Sequence, residues 1–331
     1  MKKLINDPGA VVADALAGVA AVHGDTLSVH RDPDYVTRAD APVAGKVAIV
    51  SGGGAGHEPL HTGFVGPGML DAAAPGAIFT SPSVAQIYEA ASAVATDAGV
   101  LFVVKNYTGD RLNFMMAAEM LAATGVPTAS VLVNDDVAVE DSTHTAGRRG
   151  TGATLFVEKL AGAAAEAGAP LDEVKRIAEK VVENGRSMGL ALTSSIVPHV
   201  VTPNFDIGED EVEMVVGIHG EPGRNRTALV PASELVATLT DAVSTDLPFA
   251  SGDRVLALTN GLGGTPLIEL YVVAGELAAY CDARGITIER SLVGSYITSL
   301  EMAGCTITLV KADDELLELW DAPVSTAALR W

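Results

Sequence analysis

The chain has 331 residues and a formal net charge of −21, with 48% hydrophobic and 19% charged residues. That length suggests about two domains with a core that needs no disulfide or metal staples. So anionic a surface repels phosphate backbones and anionic lipid heads, which argues against nucleic-acid and membrane-surface roles.

The opening MKKLINDPGA has two lysines but no apolar stretch behind them, so no secretory leader is expected. No apolar run approaches the ~18 residues of a membrane span. Cys281 and Cys305 set no disulfide framework and suit a reducing, cytoplasmic setting. The first predicted strand is Lys46–Val50 (KVAIV), running into a glycine-rich loop, SGGGAGHEPLH. Val100–Val104 (VLFVV) is a second strand, followed by KNYTGD and a helical stretch from Leu112 to Ala123. Ala129–Val133 (ASVLV) is a third, leading into NDD. Runs apolar on both faces read as buried parallel strands, and their alternation with helices reads as β-α units.

An amphipathic helix is predicted over Leu171–Asn184, stopped at Gly185. A domain boundary is placed there, giving an N-terminal α/β domain over 1–185 and a second α/β domain over 186–331. The second half has strands at Val212–Ile218, Arg254–Thr259 and Thr306–Val310, with a helix after NGLGGTP. The expected fold is α/β: two unequal domains, the first with a largely parallel sheet flanked by helices, the second with a mixed sheet. In such sheets ligands sit at the carboxyl ends of strands, so the loops at 51–61, 105–110 and 217–223 are the first candidates.

Several motifs compete for those loops. HEPLH imitates the H-E-x-x-H of zinc peptidases, but that motif needs a continuous helix; Pro59 lies between the histidines and four glycines precede them. The Walker lysine is missing, and His57 replaces the third glycine of a dinucleotide fingerprint. Asp110 suits a helix N-cap, or a general base at the end of a buried strand beside Lys105. His219, between Gly217-Ile218 and Gly220, is either structural or a neutral imidazole nucleophile. TAGRRG (145–150) could hold an anion or make internal ion pairs. NGLGGTP (260–266) reads as a structural turn. The acidic runs at 206–213 and 313–318 read as solvated faces.

Taken in order, KKLIND, YVTRADAPVAGKVA, SGGGAGHEP, IFTSP, KNYTGD, DDVAV, TAGRRG, GIHGEPG, TIER and LWDAPV span the whole chain. The set resembles the substrate-binding K subunits of dihydroxyacetone kinases. The resemblance implies a cytoplasmic homodimer of two-domain α/β subunits. It implies that His219 forms a covalent hemiaminal with dihydroxyacetone, that His57 acts at the reacting hydroxyl and that Asp110 is the general base. Gly54, Ala55, Gly56, His57, Lys105, Asp110 and His219 would line the substrate site. No cofactor or metal is expected in this chain. Mg-bound ADP or ATP is expected on a partner L subunit, recharged through an M-type phosphotransferase component. A ketose-sensing regulatory paralogue, or a subunit for a tetrulose such as erythrulose, is the alternative.

Overall fold

The computed structural model describes residues 2–138, 147–200, 202–214, 217–219 and 225–331. Gly220 to Gly223 of GIHGEPG, Thr145 and Ala146 of TAGRRG, Val139 of DDVAV, and Val215 and Val216 of the expected strand at 212–218 lie outside the described residues. The first sheet is built from β1 (Leu27–His30), β2 (Tyr35–Arg38), β3 (Ala48–Ala55), β4 (Ala72–Ile78), β5 (Val100–Lys105) and β6 (Thr128–Val133). Its strand order is β1-β2-β4-β3-β5-β6. Strands β4, β3, β5 and β6 run parallel, and β2 and β1 are added antiparallel at one edge.

Every residue of β3 and β5 is buried, which is why both read as continuous apolar runs rather than alternating ones. Helices α2 (Val84–Val94) and α3 (Thr108–Ala122) pack Ile87, Ala90, Ala91, Phe114, Ala117 and Leu121 over Val50, Val100, Phe102 and Val104 of the sheet. Burying each large apolar side chain stabilises by about 1.5–3 kcal/mol. A capping box starts α2: Ser83 N–H donates to Gln86 Oε1 at 2.9 Å, and Gln86 N–H donates to Ser83 Oγ at 3.3 Å. The start of β3 is pinned by Asp71. Its carboxylate accepts from Lys46 Nζ at 2.5 Å, from Arg38 Nη1 at 3.2 Å and from the Ile49 amide at 2.7 Å.

The second sheet comprises β7 (Gly185–Ala191), β8 (Glu211–Met214), β9 (Asn225–Ala228), β10 (Arg254–Gly261), β11 (Thr287–Gly294) and β12 (Gly304–Lys311). Its order is β11-β10-β12-β7-β8-β9, and the β10–β11 pair is parallel while the others are antiparallel. Helices α6 (Ala232–Asp246) and α7 (Leu267–Asp282) pack against it through Val236, Leu239, Val243, Leu270 and Leu277. The remaining helices are α1 (Val11–His23), α4 (Ala153–Glu166), α5 (Leu171–Asn184) and α8 (Asp314–Asp321). The α/β class, the parallel first sheet and the mixed second sheet agree with the sequence. Among the described residues, no helix is long and apolar enough to cross a membrane.

Two compact units result. One takes residues 1–133, 154–180 and 318–331; the other takes 134–153 and 181–317. The chain passes from the first unit to the second after Val133 and again after Lys180, and returns after Ala153 and after Leu317.

Two local expectations need correction. Ser51 to Ala55 form no turn: β3 continues through all three glycines to Ala55. Glycine is a weak strand former, but close neighbours require it here. A Cβ on Gly52 would lie 2.5 Å from the Ala74 carbonyl oxygen of β4, and one on Gly54 would lie 2.5 Å from the Thr80 amide nitrogen. The acidic run at 206–213 is also not wholly solvated, since Glu213 is buried and accepts from Arg226 Nε at 2.7 Å.

Candidate active site

In the first unit, the chain leaves β3, places β4 on one side of it and returns with β5 on the other. The carboxyl end of β3 is therefore a topological switch point, where open α/β sheets take their ligands. His57 follows β3, and Lys105 closes β5. Both are fully buried, and Asp110 is 3% exposed.

His57 sits on a turn entered through Gly56, whose φ of +99° is readily adopted only by glycine. The Gly56 amide donates to Glu58 Oε2 at 2.9 Å. The His57 ring stacks on Phe79, with centroids 5.0 Å apart and planes inclined by 22°. Phe79 itself is in the left-handed region at φ +55°, a backbone state that costs a bulky residue on the order of 1–3 kcal/mol. That strained phenylalanine is the platform for the imidazole.

Residues 56–61 form bends and turns, with a 3₁₀ turn at Thr62–Phe64, so the two histidines of HEPLH do not share a helix face. His61 is committed elsewhere. Its Nδ1 lies 2.5 Å from Glu158 Oε1 and 3.1 Å from Ser51 Oγ, while its Nε2 lies 2.5 Å from Lys105 Nζ. Burial holds the His61 pKa well below its ordinary value, and the positive charges of Lys105 and His57 add to the effect, so this imidazole is neutral. Lys105 also donates to the Gly52 carbonyl oxygen at 3.2 Å. Burial lowers its pKa, against the pull of Asp110 and Glu158. Burial raises the pKa of Glu158, against Lys105 and Ser51.

Asp110 is in the first turn of α3, but the N-cap is Tyr107, so capping is not the position Asp110 holds. Its Oδ1 is buried with no hydrogen-bond partner among the described residues. A buried carboxylate oxygen left open at the N-terminus of a helix can accept a proton from a bound hydroxyl. Gly54 and Ala55 end β3. His219 belongs to the other unit, where it is half-buried in a turn after β8.

The remaining motifs are structural. Arg148 pairs with Asp246, and Arg149 Nη2 lies 2.6 Å from Asp136 Oδ2, so the two arginines of TAGRRG make internal ion pairs. The NGLGGTP segment joins β10 to α7 as expected.

Against known proteins, the sequence pattern of the Dak1 domain matches residues 17–328. The chain belongs to the Dak1 family. It is 49% identical over 355 residues to a protein of Escherichia coli K12 named "PEP-dependent dihydroxyacetone kinase, dihydroxyacetone-binding subunit DhaK", covering 100% of this chain and 99% of the relative. It superposes on the dihydroxyacetone kinase of C. freundii with a TM-score of 0.87 at 34% identity, covering 98% of this chain and 60% of that one. A protein titled "Dihydroxyacetone kinase operon co-activator Dha-DhaQ" is also similar. It gives a TM-score of 0.89 at 28% identity, with 95% of this chain and 96% of that one covered.

Sequence reasoning did not single out Glu158, Ser51 or Phe79 for this Dak1 site. Ser51 and Phe79 stood in quoted motifs without a role. Glu158 lies beside Lys159 within a mainly apolar helical run, LFVEKLAG, where a charged residue at 0% exposure was the available signal only once burial was known.

Proposed function

We propose that this Dak1 chain is the dihydroxyacetone-binding subunit of a dihydroxyacetone kinase, and that it presents the ketose for phosphorylation by a partner. One observation carries the reading: buried His57, Lys105 and Asp110 follow neighbouring parallel strands at the switch point, in a chain matching the E. coli subunit over its full length. His219 is the covalent anchor. Its unprotonated ring nitrogen adds to the ketone carbon. The carbonyl oxygen gains a proton, the other ring nitrogen gives one up, and no group leaves. A bond to carbonyl carbon selects ketoses over polyols, which hydrogen bonding alone separates poorly.

Asp110 takes the proton of the terminal hydroxyl as that oxygen bonds to phosphorus, and the nucleotide oxygen leaves with the electron pair. His57 and Lys105 orient the hydroxyl and balance the charge that develops. The nucleotide, with its Mg²⁺, is carried by an L-type subunit and recharged from phosphoenolpyruvate by the phosphotransferase route. The subunit works as a cytoplasmic homodimer.

Intact-mass measurement with dihydroxyacetone tests the anchor. The adduct should appear in the native chain and vanish in His219→Ala, while Asp110→Asn should keep the adduct and lose phosphorylation. An adduct of equal yield in His219→Ala would overturn the reading. The likeness to an operon co-activator favours one second reading, a ketose sensor. Adduct formation without product from any donor subunit would establish it. Competition between dihydroxyacetone and erythrulose separates the triose and tetrulose assignments.

A further inference from the structure

Three buried ionisable side chains stand in a row inside the first unit: Glu158 of α4, His61 after the 57–61 turn, and Lys105 at the end of β5. Glu158 Oε1 to His61 Nδ1 is 2.5 Å, and His61 Nε2 to Lys105 Nζ is 2.5 Å. Two proton arrangements fit these contacts with the same number of protons. In one, a Glu158 carboxylate accepts from His61 Nδ1–H and a Lys105 ammonium donates to Nε2. In the other, a Glu158 carboxylic acid donates to Nδ1, and Nε2–H donates to a neutral Lys105 amine. The arrangements differ in whether the residues around Lys105 see a cation.

A second observation ties the row to the site. A Cβ on Gly53 would run into Lys105 Nζ and come within 3.3 Å of His61 Nε2, so the middle glycine of SGGGAG makes the space in which these two meet. Apolar side chains of similar volume would hold this interior at least as well, because burying charges is expensive. Stability alone therefore does not account for the row.

We propose that Glu158 and His61 are positioning residues which, as a buried carboxylate–imidazole–ammonium array, keep Lys105 protonated for the phosphoryl transfer. The inference deepens the proposed function and rests on Lys105 and Asp110 being substrate-site residues. The charged and titratable groups facing Lys105 are Glu158 and Asp110, those facing His61 are Lys105 and His57, and Lys105 faces Glu158 together with the Ser51 hydroxyl. With Glu158 charged, Lys105 has a second anion besides Asp110 to offset its burial. With that charge removed, burial lowers the Lys105 pKa further, and the cation is lost earlier as pH rises.

The test is Glu158→Gln in the full chain, with two readouts. The first follows the Lys105 side chain by NMR titration of the isotope-labelled amine. It should titrate at least about one unit below the native chain, a tenfold change in protonation ratio. The second is the pH profile of kcat/KM with the donor subunit. Its basic limb should move down by the same amount, so that activity falls roughly tenfold on the basic side and much less on the acidic side. Glu158→Asp should restore most of the limb. An unmoved Lys105 titration, or a uniform loss at every pH, overturns the proposal. If Glu158→Gln does not fold, His61→Gln decides by the same titration: lower supports the array and unchanged overturns it. If the native chain phosphorylates nothing, the proposed function fails, yet the Lys105 titration still decides on the array.

Discussion

Gly53→Ala isolates the space that Lys105 occupies. The three atoms nearest the added methyl all belong to side chains: Lys105 Nζ and Cε and His61 Nε2. The lysine can therefore give way, at the expense of its bonds. It donates to the Gly52 oxygen at 3.2 Å and contacts His61 Nε2 at 2.5 Å, and losing one such charge-assisted bond costs about 1.5–3 kcal/mol. Replacing glycine by alanine returns about 0.4–1 kcal/mol by restricting the unfolded chain. The net expectation is a destabilisation of about 1–2 kcal/mol, read as a shift in the urea midpoint at constant slope. Phosphorylation should fall by more than that if the displaced ammonium lines the substrate site as proposed. The decisive comparison is with Lys105→Ala. Once the lysine is shortened, the methyl on residue 53 has room, and Gly53→Ala should be neutral or slightly stabilising in that background. The coupling between the two changes should be about 2 kcal/mol. Equal destabilisation in both backgrounds would refute the claim that Gly53 is glycine because of Lys105.

Asp71→Ala should be the most damaging single change outside the site. It leaves buried Lys46, part of the pairing of Arg38 and the Ile49 amide without their shared acceptor, which costs about 3–5 kcal/mol by thermal or urea unfolding. Glu166, 2.8 Å from Arg38, limits the loss to that range rather than beyond it. Lys159 is buried, donates to the Leu319 carbonyl oxygen at 2.8 Å, and has its pKa lowered to about 8 by burial, against Asp321. Between that value and 10.5 the unfolded chain binds more protons at this position than the folded one, so this contribution to stability rises with pH there. The penalty is fully present below about 8. Lys159→Met should therefore gain most over the native chain at neutral pH, with the advantage shrinking by up to about 3 kcal/mol toward pH 10.5. Parallel stability curves would show that the lysine is not held in its disfavoured form.

The sequence was most legible where burial leaves one kind of signal. The apolar runs of β3, β5, β10 and β12 were each placed, because strands covered on both faces contain little else, and β6 was placed by its apolar run although it is only partly buried. Strands β1, β2, β4, β7, β9 and β11 were not placed: β1 and β11 carry partly exposed, mixed residues, while β4 and β7 are largely buried but interrupted by glycine or proline and carry no continuous run of large apolar residues. The same limit hid the buried contact that α4 makes through Glu158. One glutamate among LFVEKLAG reads as an ordinary helical charge, and only the fold shows it wholly buried against His61.

His61 and the three glycines make the point most directly. As letters, HEPLH pairs two histidines at a metal spacing and GGG looks like a loop. In the fold, the three glycines are strand residues, each emptied of a side chain for a different neighbour: the Ala74 carbonyl, the Lys105 ammonium and the Phe79–Thr80 backbone. The two histidines diverge, His57 onto the Phe79 ring and His61 into contact with Glu158 and Lys105. Spacing along the chain could not separate these histidines, because what distinguishes them is contributed by residues 22 positions after His57 and 97 positions after His61. A role that depends on such distant partners becomes visible only when the sheet closes. For this reason the motif marked the segment after β3 while leaving the partners of its second histidine undefined.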